Sequence, residues 1–254
     1  MNIVIIGTGN VAQVLGRMLL RAHHTILQVY GRNKDVVSEC ASVLQAEPVT
    51  DLAMLNKEAE LCIVATSDSA ISYIAEKIQL PASVIVHTSG GVSVQVLNRH
   101  RQYGVLYPLQ SLRKELPYLP KVPLFIDGNS EEARATISAL ATTISDEVHF
   151  AKDEERLKLH IAAVFCSNFT NHLFALTDQF CNKEQLQFNY LLPLIEETVH
   201  RLQLGAPVNF QTGPAIRKDE VTIQRHLQVL RAYPMLANVY EILTRSIQDN
   251  SDGI

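Results

Sequence analysis

The stretch Asn2–Ala12, NIVIIGTGNVA, decides the fold that we predict for this chain. It opens with Asn2–Ile6, a short apolar run typical of a buried parallel strand. The run ends at a G-x-G-x-x-A pattern, and helical apolar spacing follows over Val11–Arg21. A glycine-rich turn between a strand and a helix is the sequence signature of a dinucleotide-binding domain.

The small residues of this turn have separate roles in such a domain. Gly7 allows the tight turn, Gly9 lets the backbone approach a pyrophosphate, and Ala12 permits close packing of the helix on the strand. The free N–H groups of the first helical turn would hold the phosphates. We therefore predict that the cofactor binds at Gly7, Thr8, Gly9, Asn10, Val11 and Ala12. The alternative is a glycine turn in an α/β protein that binds no ligand.

The end of the second predicted strand, Thr25–Tyr30, indicates which nucleotide binds. An NAD site usually carries an acidic residue there, but no Asp or Glu lies between Val29 and Lys34. Arg32 can instead bind a 2′-phosphate through charge-assisted hydrogen bonds. We predict NADP(H) as cofactor, held by Arg32 and Asn33. The alternative is a solvated arginine without a phosphate partner.

Two further apolar runs, Leu61–Ala65 and Ser83–His87, predict strands that end at the same edge of the sheet. Ligands of such sheets bind outside the carboxyl ends of the strands. Small polar side chains there can line a ribose and a nicotinamide. The predicted cofactor contacts at these ends are Thr66, Ser67, Ser69, His87, Thr88 and Ser89.

The first part of the chain continues to alternate between strand and helix patterns. Helices are predicted at 34–44, 67–78 and 131–144, and short strands at 105–107 and 124–126. This alternation predicts an α/β Rossmann-type parallel sheet with helices on both faces, over residues 1–150.

Residues 151–254 are predicted to form an all-α domain that carries substrate and dimer contacts. A long helical run extends to about Phe180, and it contains six consecutive non-polar residues, Ile161–Cys166. A helix that is apolar on every side must be buried on every side. Asp219 is suited to cap one later helix, Pro234 to begin the last one, and a polar tail follows at 248–254.

Composition excludes several classes of function. The 254 residues carry 22 Lys and Arg against 26 Asp and Glu, so the net charge of −4 gives no strong attraction to nucleic acid or anionic membranes. No apolar run approaches the roughly 18 residues that span a bilayer, and the N-terminus does not resemble a secretory signal. The four cysteines show no metal-binding spacing, which predicts reduced thiols in a cytoplasmic protein without a metal site.

Seven separated segments resemble one family of Rossmann-like NADP oxidoreductases, whose members carry a helical C-terminal domain of unknown function. The segments are GTGNVAQVLG, YGRN, IVATSDSAI, VIVHTSGG, LYPLQSL, LHIAAVFCSNF and TGPAIRKD. The chain is more distantly similar to pyrroline-carboxylate reductases, to 6-phosphogluconate and β-hydroxyacid dehydrogenases, and to deazaflavin-dependent NADP reductases. The resemblance implies NADP as cofactor and a homodimer built through the helices, but it implies no particular substrate.

Two features depart from these relatives. β-Hydroxyacid dehydrogenases use a lysine, followed four residues later by an asparagine, on the long helix after the Rossmann domain. Here Lys158 precedes His160 by two positions and points nearly the opposite way, so the lysine site is not reproduced. The family also tends to have glycine at the position of Lys218, which weakens the expectation of a close backbone approach there.

His160 is the leading candidate for acid–base chemistry. A histidine on an apolar helix needs a partner, and an imidazole can exchange protons with a carbonyl oxygen near neutral pH. Asn168 could orient the substrate beside it. A hydrogen-bonded histidine of the core or of a dimer interface is the alternative. His87 is the second catalytic candidate, unless it only contacts the nicotinamide.

The substrate is predicted to contact a loop, the long helix and one distant arginine. The residues are Tyr107, Pro108, Gln110 and Ser111 of the loop, Ser167 on the helix, and Arg217. The loop could equally be a structural turn fixed by Pro108, and Arg217 could reach a partner subunit instead of an anionic substrate.

These observations predict an NADP(H)-dependent oxidoreductase that transfers a hydride to or from a small carbonyl, imine or hydroxy compound. The alternative is a non-enzymatic NADP(H)-binding sensor or scaffold. A deazaflavin as second cofactor is a further possibility.

Overall fold

The computed structural model describes residues 1–251, and its central element is one eight-stranded sheet. The strand order is β3-β2-β1-β4-β5-β6-β7-β8, and every neighbouring pair is parallel except β6 and β7. The strands are β1 (Asn2–Ile6), β2 (Thr25–Tyr30), β3 (Glu47–Val49), β4 (Leu61–Val64), β5 (Val84–His87), β6 (Gln102–Pro108), β7 (Leu124–Gly128) and β8 (Val148–Phe150). The Rossmann-type fold is confirmed. The three-residue strands β3 and β8 were not predicted, because runs this short carry no periodic signal.

Helices cover both faces of the sheet because successive strand residues point to opposite sides. In β1, Ile3 and Ile5 pack in one apolar cluster with α1 (Asn10–Arg21), α2 (Lys34–Val43) and α4 (Glu131–Ile144). Val4 and Ile6 pack in the other cluster, with α3 (Asp68–Lys77). All four of these β1 side chains have no exposed surface, as expected for a buried parallel strand.

Strand register brings the functional loops to one edge of the sheet. Ile6, the last residue of β1, is paired with Tyr30 of β2 and with Val64 of β4, and Val64 is paired in turn with His87 of β5. The chain continues from β1 toward β2 on one side, whereas β4 lies on the other side. A crevice forms where the order reverses in this way, and ligands of open α/β sheets bind there.

The chain divides into two compact units, residues 1–168 and 169–254. The first unit includes α5 (Asp153–Ala163), which the sequence analysis assigned to the second domain; the division at residue 150 stays a prediction. A π-helical turn, Val164–Phe169, interrupts the long helix predicted to reach Phe180, and the helix continues as α6 (Thr170–Lys183). π-Helical turns are rare and occur frequently at functional sites.

The second unit is helical. After α6 it contains α7 (Leu192–Arg201), α8 (Glu220–Leu230) and α9 (Pro234–Ser251). Asp219 caps α8 by accepting the N–H of Thr222, and Pro234 begins α9, both as predicted. The helix α9 continues through the predicted polar tail to Ser251, and residues 252–254 lie outside the described residues.

Large apolar side chains of the helices are exposed in the single chain. Within 161–166, Ile161 is 50% exposed and Phe165 is 63% exposed, so one chain alone does not provide the all-round burial that this segment predicts. The buried hydrophobic residues described after Phe169 are Cys181, Ala215, Ile223 and Leu230. Helices with so few buried side chains leave much apolar surface in contact with water.

Candidate functional site

A cavity of about 390 Å³ lies at the edge of the sheet where the strand order reverses. The loops after β1, β2 and β4 and one face of α3 form its wall. The lining residues are Gly7, Thr8, Gly9, Asn10, Val11, Tyr30, Gly31, Arg32, Ala65, Thr66, Ser67, Ala70, Tyr73 and Ile74. The structure therefore brings most of the glycine-rich turn together with Arg32 and the end of β4, as expected for a dinucleotide crevice.

The two glycines of the turn are constrained differently. Gly7 has φ +128°, and a Cβ there would lie 2.2 Å from the carbonyl oxygen of Ala65, so only glycine fits. A Cβ on Gly9 would meet no atom within 4 Å, so the surface above Gly9 is open. Gly9 is also the N-cap of α1 and makes no side-chain cap. An open glycine surface at a helix N-terminus fits the pyrophosphate of a dinucleotide.

The side chains of Arg32 and Asn33, at the end of β2, have different surroundings. Arg32 is exposed and lines the cavity. The side-chain oxygen Oδ1 of Asn33 instead accepts the N–H groups of Asp35 at 3.0 Å and Val36 at 3.2 Å, and so caps α2. The side chain predicted to bind the cofactor is thus already engaged in a helix cap.

Sequence reasoning missed the part of the cavity wall that α3 supplies. Ala70, Tyr73 and Ile74 line the cavity, and the Tyr73 ring is 61% exposed. Their spacing of three and four residues, on the helix that begins directly after β4, was the available signal.

The predicted contacts after β4 and β5 separate into two groups. Thr66 and Ser67 line the cavity, and the Ser69 hydroxyl lies 3.3 Å from that of Ser67. Thr88 and Ser89 are buried and are not part of the cavity wall. The Ser89 hydroxyl accepts the N–H groups of residues 91 and 92, both at 3.1 Å, and so stabilises the turn after β5.

His87 is an interior residue with no exposed surface. Its Nδ1 accepts the N–H of Ser89 at 3.2 Å, and its buried Nε2 has no hydrogen-bond partner among the described residues. Burial lowers the pKa of His87 to about 4, and the charge of Arg156 contributes to the decrease. The imidazole is therefore neutral at physiological pH, and its predicted catalytic role stays a prediction.

His160 meets a residue that was predicted to bind the substrate. The Tyr107 hydroxyl lies 3.0 Å from His160 Nδ1, and the two rings are nearly perpendicular, with centroids 6.0 Å apart. Tyr107 is 7% exposed, whereas His160 is only partly buried. Gly90 packs against both, because a Cβ there would lie 2.7 Å from Tyr107 and 2.9 Å from His160. The end of β6, the turn after β5 and α5 thus converge on this histidine.

Arg156 connects α5 to the turn after β5 through hydrogen bonds. This arginine has no exposed surface, and its guanidinium donates to the carbonyls of Ser89 and Val92 and to Asp153 Oδ1 at 2.8 Å. Asp153 also accepts the N–H of Val94 at 3.0 Å. Arg156 lies three residues after Asp153 and four before His160, so the three residues share one face of α5.

The other predicted site residues are distributed along the chain. Pro108 is buried at the end of β6, and Gln110 and Ser111 are exposed in the loop that follows. Ser167 is partly buried and Asn168 is exposed in the π-helical turn, and Arg217 is exposed in the second unit. Lys158 is exposed and paired with Glu154 at 2.6 Å. Among residues 1–251, no cluster of metal-binding side chains is present.

Two family models match the chain in tandem. Residues 2–91 match "NADP oxidoreductase coenzyme F420-dependent", and residues 122–247 match "Domain of unknown function (DUF2520)". A comparison with curated protein sequences finds no match.

Three solved structures are similar to this chain over nearly its whole length. A "putative NADP oxidoreductase" from Bacteroides fragilis is 40% identical, with a TM-score of 0.91 and 98% of each chain covered. A Thermotoga maritima protein is 22% identical, with a TM-score of 0.71 and with 99% of this chain and 98% of that chain covered. An imine reductase from Myxococcus stipitatus, solved with NADP⁺, is 13% identical, with a TM-score of 0.67 and coverage of 100% and 95%. The last two show a shared fold.

Proposed function

The chain belongs to the family of NADP oxidoreductases that carry a C-terminal domain of unknown function, and from this premise we propose its reaction, cofactor and site. It transfers a hydride between NADP(H) and a small carbonyl, imine or hydroxy compound. The observation that carries the proposal is the cavity at the glycine-rich turn, because it combines an open helix N-terminus with Arg32.

The cofactor is NADP(H) rather than NAD(H). Arg32 lines the cavity at the end of β2, where the ribose of the adenosine half binds in this fold. The chain has no carboxylate there to repel a 2′-phosphate. The imine reductase with the same fold was solved with NADP⁺. The turn residues 7–11, with Thr66 and Ser67, hold the rest of the nucleotide, whereas Ala12 is buried and is not part of the cavity wall.

Titration of the purified protein with NADPH and NADH tests the choice of cofactor. Replacing Arg32→Ala removes a charge-assisted contact, so the Kd of NADPH should rise about 10- to 100-fold. The Kd of NADH should change less than about 3-fold, because NADH has no 2′-phosphate. Arg99→Ala, another exposed arginine, is the matched control. Equal affinities for the two nucleotides in the unmodified protein would contradict the assignment.

His160 handles the proton of the reaction. NADPH, when bound, supplies the hydride, and a group of the protein must give a proton to the substrate oxygen or nitrogen. His160 is the better placed of the two histidines, since it is only partly buried and Nδ1 is held by Tyr107. Ser167 and Asn168 lie in the π-helical turn that follows α5, and with the loop at 108–111 they are our candidates in the first unit for binding the substrate. Arg217, in the second unit, is a separate candidate that rests on the sequence alone.

The test of the reaction is a screen of small carbonyl compounds and imines for NADPH consumption. With any substrate found, His160→Ala should lower kcat about 10²- to 10⁴-fold while the Kd of NADPH stays unchanged. Turnover that survives this substitution would overturn the role of His160. Tight NADPH binding without turnover of any compound would favour the sensor alternative.

We also propose that the protein is a cytoplasmic homodimer associated through its helices. Exposed apolar side chains on α7 and α9, among them Leu194 at 65% and Ile242 at 65%, support an apolar partner surface. No helix among the described residues is long and apolar enough to cross a membrane, and all four cysteines are free thiols. Sedimentation should give a dimer that Leu194→Asp and Ile242→Asp dissociate; a monomeric unmodified protein would contradict the proposal.

A further inference from the structure

The hydroxyl of Tyr107 has one hydrogen-bond partner among the described residues, His160 Nδ1 at 3.0 Å. A nearly buried phenol needs an acceptor for its proton, and Tyr107 is 7% exposed. A neutral imidazole has one nitrogen that accepts and one that donates. The hydrogen bond at Nδ1 therefore bears on which nitrogen of His160 carries the proton.

We propose that Tyr107 is a positioning residue that donates its hydroxyl proton to His160 Nδ1 and thereby holds the neutral imidazole with its proton on Nε2. The Nε2–H group then points away from the tyrosine. It has no hydrogen bond to the described residues, so it is free to donate to a ligand. The use of this donor toward a substrate rests on the proposed function, whereas the tautomer itself does not.

Packing supports a fixed pair. The Gly90 Cα leaves no room for a side chain, because a Cβ would lie 2.7 Å from Tyr107 Cζ and 2.9 Å from His160. Arg156, four residues before His160 on α5, is buried. It donates hydrogen bonds to the carbonyls of Ser89 and Val92, which flank Gly90 and Gly91. The Tyr107 ring, the turn at 89–92 and α5 therefore restrain one another's positions.

Burial keeps the Tyr107 phenol protonated. Burial raises the pKa of Tyr107, the guanidinium of Arg156 opposes part of this increase, and Asp68 of α3 adds to it. The Asp153 carboxylate on α5 accepts a hydrogen bond from Arg156. His87 on β5 is neutral and therefore adds no charge. At neutral pH Tyr107 is therefore a hydroxyl with a proton to donate.

The pair also provides a route for the proton of the proposed reaction. As a hydride reduces the substrate carbon, the Nε2–H proton moves to the substrate oxygen or nitrogen. The Tyr107 proton moves to Nδ1 at the same time, so the imidazole stays neutral, and the charge of Arg156 favours the phenolate that is left. Once the product has left, the Nδ1 proton returns to the phenolate while Nε2 takes up one proton from solvent, which restores the starting pair.

The experiment is ¹⁵N NMR of the ligand-free protein labelled at histidine, at a pH where His160 is neutral. Nδ1 of His160 should show the shift of an unprotonated nitrogen, and Nε2 that of a protonated one. Tyr107→Phe should shift the population toward the tautomer with its proton on Nδ1. Tyr103→Phe is the matched control, since Tyr103 is also on β6, is 8% exposed, and bonds Gln95 instead.

A neutral His160 with its proton on Nδ1 in the unmodified protein would overturn the proposal, and this result does not depend on any variant folding. Identical His160 spectra for the two tyrosine variants would also overturn it. If a substrate is found, Tyr107→Phe should lower kcat about 10-fold with an unchanged Kd for NADPH. The expected tautomer without turnover of any compound would count against the proposed function, in favour of the sensor alternative, and leave the pair established.

Discussion

Tyr107 and His160 are 53 positions apart in the chain, yet the phenol oxygen and the imidazole Nδ1 lie within 3.0 Å. Strand β6 supplies the first residue and helix α5 the second, and both belong to the same compact unit. Gly90, from the turn after β5, packs against both rings. Strand β6, the turn after β5 and helix α5 therefore meet at one contact.

Gly90→Ala should separate the pair. A methyl group at Gly90 would lie 2.7 Å from Tyr107 and 2.9 Å from His160, so one of the rings must shift. We expect the free energy of unfolding to fall by about 1–3 kcal/mol, as for other overpacked sites, and turnover to fall with it. Gly91→Ala is the control, because its Cβ would meet only Asp68 Oδ2 at 3.7 Å. Equal unfolding curves for both variants would contradict the contact.

Gly7 and Gly9 should respond differently to added side chains. Gly7→Ala should lower the free energy of unfolding by about 3 kcal/mol, because φ is +128° and the methyl group would overlap the Ala65 carbonyl. Gly9→Val should leave the midpoint of thermal unfolding within about 2 °C, since a Cβ at this position meets no atom within 4 Å. The same valine should weaken NADPH binding about 10-fold or more by occupying the pyrophosphate position. Calorimetry and nucleotide titration measure the two effects, and unchanged NADPH affinity in Gly9→Val would argue against the cradle.

Arg156→Met should destabilise the protein by about 2–4 kcal/mol, because it leaves the buried Ser89 carbonyl and the Val92 carbonyl without their donor and removes the charge partner of Asp153. Arg156→Lys should recover only part of the loss, since an ammonium cannot reproduce the planar fork. Arg134→Met serves as control: its side chain is 49% exposed, and its loss should cost about 1 kcal/mol or less. Urea unfolding distinguishes the two, and similar losses would contradict the buried clamp.

His87 should make stability depend on pH. In the unfolded chain it takes up a proton near pH 6.5, whereas in the folded protein its pKa is about 4. The unfolded state therefore binds more protons between these values, and stability falls as the pH falls from 6.5 to 4, by up to about 3 kcal/mol. His87→Asn, which can still accept the Ser89 N–H, should remove this part of the slope in urea unfolding. A slope that His87→Asn leaves unchanged would contradict the burial of a neutral imidazole at this position.

The sheet could be predicted because its strands are apolar runs separated by helical spacing, and Asn2–Ile6 with the following glycine turn is the clearest case. The cavity position follows from the same pattern, since parallel strands end at one edge. Strand β3 could not be predicted, because its three residues include Pro48. The π-helical turn at 164–169 has no glycine or proline to indicate it.

The rest of the site could not be predicted, because it depends on side-chain contacts that only the structure shows. Arg156 bonds carbonyls 67 and 64 positions away, so nothing near it in the sequence indicates a clamp. Asn33 has the polarity of a cofactor ligand and the position of a helix cap, and only the structure shows that its oxygen is engaged in the cap. Likewise, the sequence places His87 at a strand end without showing that its side chain is completely enclosed.

The nucleotide cradle and the Tyr107–His160 pair both lie within residues 1–168. A chimera that keeps this segment and takes residues 169 onward from a relative would inherit the glycine turn, Arg32 and the paired imidazole without alteration. Such exchanges would vary the second unit while the proposed proton donor stays constant. Of the proposed substrate contacts, only Arg217 would change, whereas the loop at 108–111, Ser167 and Asn168 would stay with the first unit. A chimera therefore separates the contribution of Arg217 to substrate choice from that of the first unit.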